Sequence, residues 1–114
     1  MSSDKQVAFV RELVARFPTL SPLLEEHIGD YEEILSHVFF GDLTHHVVSL
    51  LPTASHELPD ILAFLEETFA AGDAELQELI SASFLENLPL AEETGGEIRD
   101  ILGPTLTRQL ESIG

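Results

Sequence analysis

Apolar residues recur at helical spacing along almost the whole chain, and this regularity leaves room for little but an all-α fold. In the clearest stretch, Leu58, Ile61, Leu62, Leu65 and Phe69 stand three or four positions apart. They line one face of a helix and leave the other face to polar side chains. Val7, Val10, Leu13, Val14 and Phe17 repeat the pattern near the start, and Leu76, Leu79, Ile80 and Ser83 repeat it further on. No run alternates apolar and polar residues with the β-branched richness of a strand.

Punctuation divides the pattern. Ser3 and Gln6 have the spacing of a capping box, and Pro18 stops the first helix. Ser21-Pro22 reads as an N-cap followed by proline at the first helical position, opening a short helix to Gly29. Asp30 with Glu33 reads as another capping box, with Tyr31, Ile34, Leu35 and Val38 on one face of the helix it opens. Gly41-Asp42 predicts a break, a short helix through Leu43, Val47 and Leu50 follows, and a loop spans Pro52 to Ser55. Gly72 closes the Leu58–Phe69 helix and Asp73 caps the next, so the two form an antiparallel hairpin. Phe84, Leu85 and Leu88 widen the apolar arc of that next helix, which places it at the centre of the bundle. Ala91–Gly96 reads as a mobile loop, and Gly103-Pro104 splits the closing helical stretch. The expectation is one domain over residues 1–114, a bundle of six to eight helices built around antiparallel hairpins.

Composition narrows the setting. The 114 residues include no cysteine, which excludes disulfides and zinc-thiolate sites. The longest apolar runs fall far short of a membrane span, and Met1–Lys5 lacks the layout of a signal peptide, so a cytoplasmic location is expected. The charge is less ordinary. Twenty-one acids face five bases, for a formal net charge of −16. Between Phe17 and Ile98 there is no lysine or arginine, while 17 acids fall there. Such a surface repels nucleic acid and anionic membranes and attracts cationic proteins.

Each candidate site has a plainer reading beside it. His45-His46 is flanked by Asp42, and Glu33 precedes His37 by one helical turn, a spacing that suits metal ligands. Adjacent histidines diverge by about a hundred degrees on a helix, so the expectation is no metal and no cofactor. His56-Glu57-Leu58-Pro59-Asp60 lacks the second histidine of a zinc protease helix. Paired carboxylates such as Glu25-Glu26 and Glu92-Glu93 are sequence neighbours, not groups facing each other across a cleft. No phosphate loop or nucleophile elbow occurs, and no catalytic residue is expected.

The acidic faces carry more. Glu57, Asp60 and Glu67 surround Phe64 on one side of a helix, and Glu75, Glu78 and Glu86 flank Ala82 on the next. An aromatic ring among carboxylates has the composition of a protein-binding hot spot, with the acids steering a basic partner and the ring anchoring it. The alternative is that a neighbouring helix covers Phe64. Asp30, Glu32, Glu33, Asp42 and His45 form a second candidate group.

Four stretches carry a family resemblance: Gly41-Asp42-Leu43-Thr44, Ile61–Glu67, Leu79–Leu88 and the closing Ile101-Leu102-Gly103-Pro104. From about Arg11 to Leu110 the chain resembles a small acidic all-helical bacterial domain family without assigned chemistry, some of whose members look like immunity proteins of toxin systems. The resemblance implies a non-enzymatic inhibitor whose partner is a basic toxin domain. The competing expectation is an acidic helical adaptor or regulatory domain that self-associates.

Overall fold

Six α-helices form along the chain in a computed structural model that describes residues 3–53 and 56–113. They are α1 (Asp4–Arg16), α2 (Ser21–Tyr31), α3 (Ser36–Ser49), α4 (Glu57–Ala70), α5 (Ala74–Ser83) and α6 (Pro104–Ile113). Short 3-10 turns at Pro18–Leu20, Leu51–Thr53, Leu85–Asn87 and Gly96–Ile101 join them, and no strand occurs among the described residues. The fold is therefore all-α. The radius of gyration, 13.3 Å, is that of a compact chain of this length. Readings that concerned Met1, Ser2, Ala54 and Ser55 lie outside the described residues.

The hairpin of α4 and α5 forms as its punctuation requires. Gly72 takes φ +89° between the helices, a backbone conformation that costs glycine little. Asp73 then accepts from the main-chain N–H groups of Glu75 at 3.0 Å and Leu76 at 3.2 Å. These are donors that a helix start leaves without partners. α5 packs against α1, α3 and α4, which puts it at the centre of the bundle. Leu79, Ile80 and Phe84 are wholly buried there. The regular helix stops at Ser83, and the apolar arc continues through the 3-10 turn, where Leu85 and then Leu88 are buried.

Several boundaries differ from the sequence expectation. α3 runs unbroken through Gly41. Glycine inside a helix costs about 1 kcal/mol, and burying Phe39 and Phe40, each worth roughly 2 kcal/mol or more, outweighs it. α2 continues past Gly29 to Tyr31, and its closing left-handed residue is Glu32, at φ 62°. Asp30 is thus inside α2 and caps nothing, and α3 starts only at Ser36. With the phase reset, Tyr31 and Val38 are exposed while Ile34 is buried. Ser21 is the first residue of α2 and gives no side-chain cap. Ser3 does cap α1 through Gln6 N at 3.1 Å, yet the Gln6 side chain reaches across to the Glu75 carbonyl at 2.9 Å. The Ala91–Gly96 loop is tied down: Leu90 N donates to Glu93 Oε1 at 2.7 Å, and Arg99 Nε donates to the Pro89 carbonyl at 2.6 Å.

One contact joins α4 to α6 in a way no local pattern announces. Glu66 of α4 accepts from Thr105 N at 2.8 Å and Leu106 N at 2.9 Å, capping α6 from another helix. Gly103 makes room for it, because a Cβ there would lie 2.6 Å from the Glu66 carboxyl group. Burial pushes the Glu66 carboxyl up, but the hydrogen bonds from Leu106 and Thr105 and the Arg108 charge together hold it below its ordinary value of 4.5. Stability from this group is therefore present above the unfolded value and lost as pH falls through the lower folded one. Glu66→Gln is expected to lower unfolding free energy at pH 7 by about 1 kcal/mol, the usual worth of a helix cap. In urea titrations the gap between the two proteins should close as pH drops below about 4. A gap independent of pH would refute the capping role. Glu32→Gly should stabilise by roughly 1 kcal/mol in the same titrations, by relieving the left-handed backbone.

Candidate partner-binding site

On α2, residues Leu23, Glu26, His27, Asp30 and Tyr31 follow the spacing of one helix face, and on α3 so do Asp42, His45 and His46. The two faces meet across an open cleft of about 520 Å³ lined by these eight residues. That volume suits a side chain or small ligand. The cleft contains three carboxylates and no lysine or arginine. Glu26, Asp30 and Asp42 are all exposed, and among the described residues none accepts a hydrogen bond or pairs with a base.

The aromatic component of the cleft is Tyr31. It is 45% exposed, and its ring lies 4.9 Å from that of His27. His27 is buried, and its Nε2 accepts from Leu35 N at 3.0 Å. The ring proton is therefore on Nδ1, which is buried and has no hydrogen-bond partner. An aromatic ring beside free carboxylates is thus present, though not where the sequence reading put it. Of the second candidate group, the structure brings Asp30, Asp42 and His45 into this cleft. Glu32 and Glu33 stay exposed on the connection from α2 to α3. His45 and His46 both line the cleft although they are adjacent in sequence. Glu33 lies off the helix that carries His37. No group of three metal-ligating side chains assembles among the described residues.

The first candidate group is dispersed. Phe64 is buried, at 8% exposure. Its ring stacks on Phe9 at 5.5 Å, meets Phe17 edge-on at 6.2 Å, and is covered by the Arg16 guanidinium at 4.6 Å. The covered-ring alternative holds, and the exposed anchor does not. Asp60 and Glu67 flank this spot together with Arg16, so the acids there share their surroundings with a base. Glu57 accepts from the Thr19 hydroxyl at 2.6 Å. Glu75 lies 3.7 Å from Lys5 Nζ, which also donates to Asp73 at 2.8 Å. That bond holds the Lys5 ammonium above its ordinary value and the Asp73 carboxyl below its own. Glu78 and Glu86 line a shallow groove with Gln109 of α6.

Sequence spacing gave no sign of a third arrangement. Ser83 Oγ is hydrogen-bonded to His37 Nδ1, and His37 Nε2 lies 3.6 Å from Glu78. These are the residue types of a nucleophilic triad. Ser83, however, is 6% exposed at the last turn of α5, where a helix presents carbonyls and not the N–H donors that stabilise an oxyanion. Its own carbonyl accepts from Thr44 and Asn87. The trio acts as a bracket between α3 and α5.

Residues 10–113 match the family described as a domain of unknown function, DUF7674. The chain belongs to that family. No curated protein and no solved structure matches the chain. Membership of DUF7674 agrees with the resemblance to a family without assigned chemistry, and it transfers no functional residue.

The two candidate groups should respond differently to mutation. Phe64→Ala is expected to cost about 3 kcal/mol of stability, as removal of a buried aromatic does. Glu26→Gln and Asp42→Asn should change stability by no more than about 0.5 kcal/mol, because no internal contact depends on them. Urea denaturation of the three variants checks this. A Phe64→Ala protein as stable as the parent would put that ring back on the surface.

Proposed function

We propose that the protein is a non-enzymatic binding protein that neutralises a basic partner, and that the partner is a cognate bacterial toxin domain. The observation that carries this reading is the segregated charge: 17 acids and no lysine or arginine between Phe17 and Ile98, in a chain of net charge −16. The free carboxylates of the α2–α3 cleft fall inside that stretch. A field of one sign accelerates encounter with a cationic surface, to about 10⁸ per molar per second at low salt, and suppresses wrong partners. An inhibitor that must act before damage is done gains from that speed. Toxins that cut nucleic acid bind phosphates in basic clefts, and carboxylates can occupy the same positions. The resemblance to immunity proteins supports the same class.

A second reading is an acidic helical adaptor that self-associates. It is favoured by the large apolar side chains left exposed, among them Ile28, Val38, Leu90 and Ile101.

Capture from the native host's lysate at low salt, with elution by a salt step, tests the choice. The expected result is one basic protein at equal stoichiometry, whose association slows steeply as salt rises. Co-expression should then remove that protein's toxicity. Recovery of the bait alone, with a dimer in sedimentation velocity, would favour the adaptor.

A further inference from the structure

We propose that the α2–α3 cleft is the docking point for an arginine residue of the basic partner, an assignment that rests on the partner-binding reading above. Three observations point to this ligand and not to a diffuse cationic surface.

The first is the set of carboxylates. Glu26 and Asp30 stand one turn apart on α2, and Asp42 faces them from α3 across the cleft. None is committed to a partner within the described chain. A guanidinium presents five N–H donors in a rigid planar fork, so it can pair in-plane and bidentately with carboxylates on both sides of the cleft, whereas an ammonium acts as a point charge without that geometry. The second is Tyr31, the chain's single tyrosine, exposed at the same cleft. A guanidinium stacks flat on such a ring.

The third is the orphan donor. His27 lines the cleft, is 2% exposed, and holds an Nδ1–H without an acceptor. Buried donors almost always find a partner, and leaving one unpaired is costly. A cation alone offers it nothing. An arginine within a peptide carries both parts: a guanidinium for the carboxylates and a main-chain carbonyl as acceptor. Tyr31 packs over the His27 ring, so seating the peptide requires Tyr31 to turn aside and lie along the guanidinium.

The test uses the full chain and the blocked tripeptide acetyl-Gly-Arg-Gly-amide, followed by NMR at low salt. The expected result is saturable shifts confined to residues of the cleft, with the His27 Nδ1–H resonance moving in step. The lysine tripeptide should bind more weakly, and the neutral citrulline tripeptide should leave the spectrum unchanged. Ethylguanidinium, which has the fork and no carbonyl, should move the cleft residues and leave the His27 proton in place. The triple variant E26Q/D30N/D42N should bind about 10-fold less tightly, a loss of 1.4 kcal/mol. A control that removes the same charge elsewhere, E12Q/E92Q/E111Q, should stay within about twofold of the parent.

Equal weakening in both triple variants would overturn the cleft assignment and leave the acidic-binder reading standing. Equal binding of the lysine and arginine tripeptides would overturn the choice of arginine. Absence of binding to the tripeptide, in a protein that still captures a basic partner whose affinity E26Q/D30N/D42N does not change, would move the interface elsewhere. Failure to bind any cationic protein would instead remove the partner-binding reading itself.

Discussion

A continuous run of aromatic rings crosses the core, and the two faces of interest are its ends. Phe17 and Arg16 cover Phe64, Phe64 stacks on Phe9, Phe9 on Phe40, Phe40 meets Phe39, Phe39 meets His27, and His27 lies under Tyr31. Each such pair contributes on the order of 1 kcal/mol beyond its buried area. The run ties α1, α2, α3 and α4 into one core. It also explains why one face is closed and the other open. At the α4 end a guanidinium from the same chain already caps the last ring. At the α2–α3 end the last ring is bare and stands beside carboxylates without a base.

The same logic governs the charge. Five bases cannot balance 21 acids, and the fold places several of those bases where they hold structure. Arg16 caps Phe64, Lys5 bridges Asp73 and Glu75, and Arg99 ties the Pro89 carbonyl. All three come from the nearly neutral ends of the chain. Most of the central acids therefore keep their charge uncompensated, and self-repulsion costs some stability. The buried apolar cluster offsets that cost, and a directional negative field remains at the surface.

The hairpin of α4 and α5 was legible in the sequence because each of its signals is local. The Leu58–Phe69 stripe, Gly72 and Asp73 act within a few residues of one another, and nothing distant opposes them. Gly41 shows the limit: its local cost is real, but packing of Phe39 and Phe40 across the core outweighs it. The shift of the α2 boundary from Gly29 to Tyr31 had the larger consequence, since it rotated Tyr31 out of the core and into the cleft. The nearness of Asp42 to His45-His46 was visible, but Asp30 read as the cap of a separate helix, and nothing said that a face of α2 carrying Glu26 and Asp30 would meet α3.

What the sequence by itself determined was the class of fold, the capped hairpin and the sign of the surface, because periodicity, caps and composition act at short range or as sums. The tertiary structure alone decided which aromatic would be covered and which carboxylates would stand free. It also decided that Glu66 would cap α6 from a different helix. Those outcomes depend on helix-to-helix packing, in which residues dozens of positions apart compete for the same partners, and no local spacing records who wins.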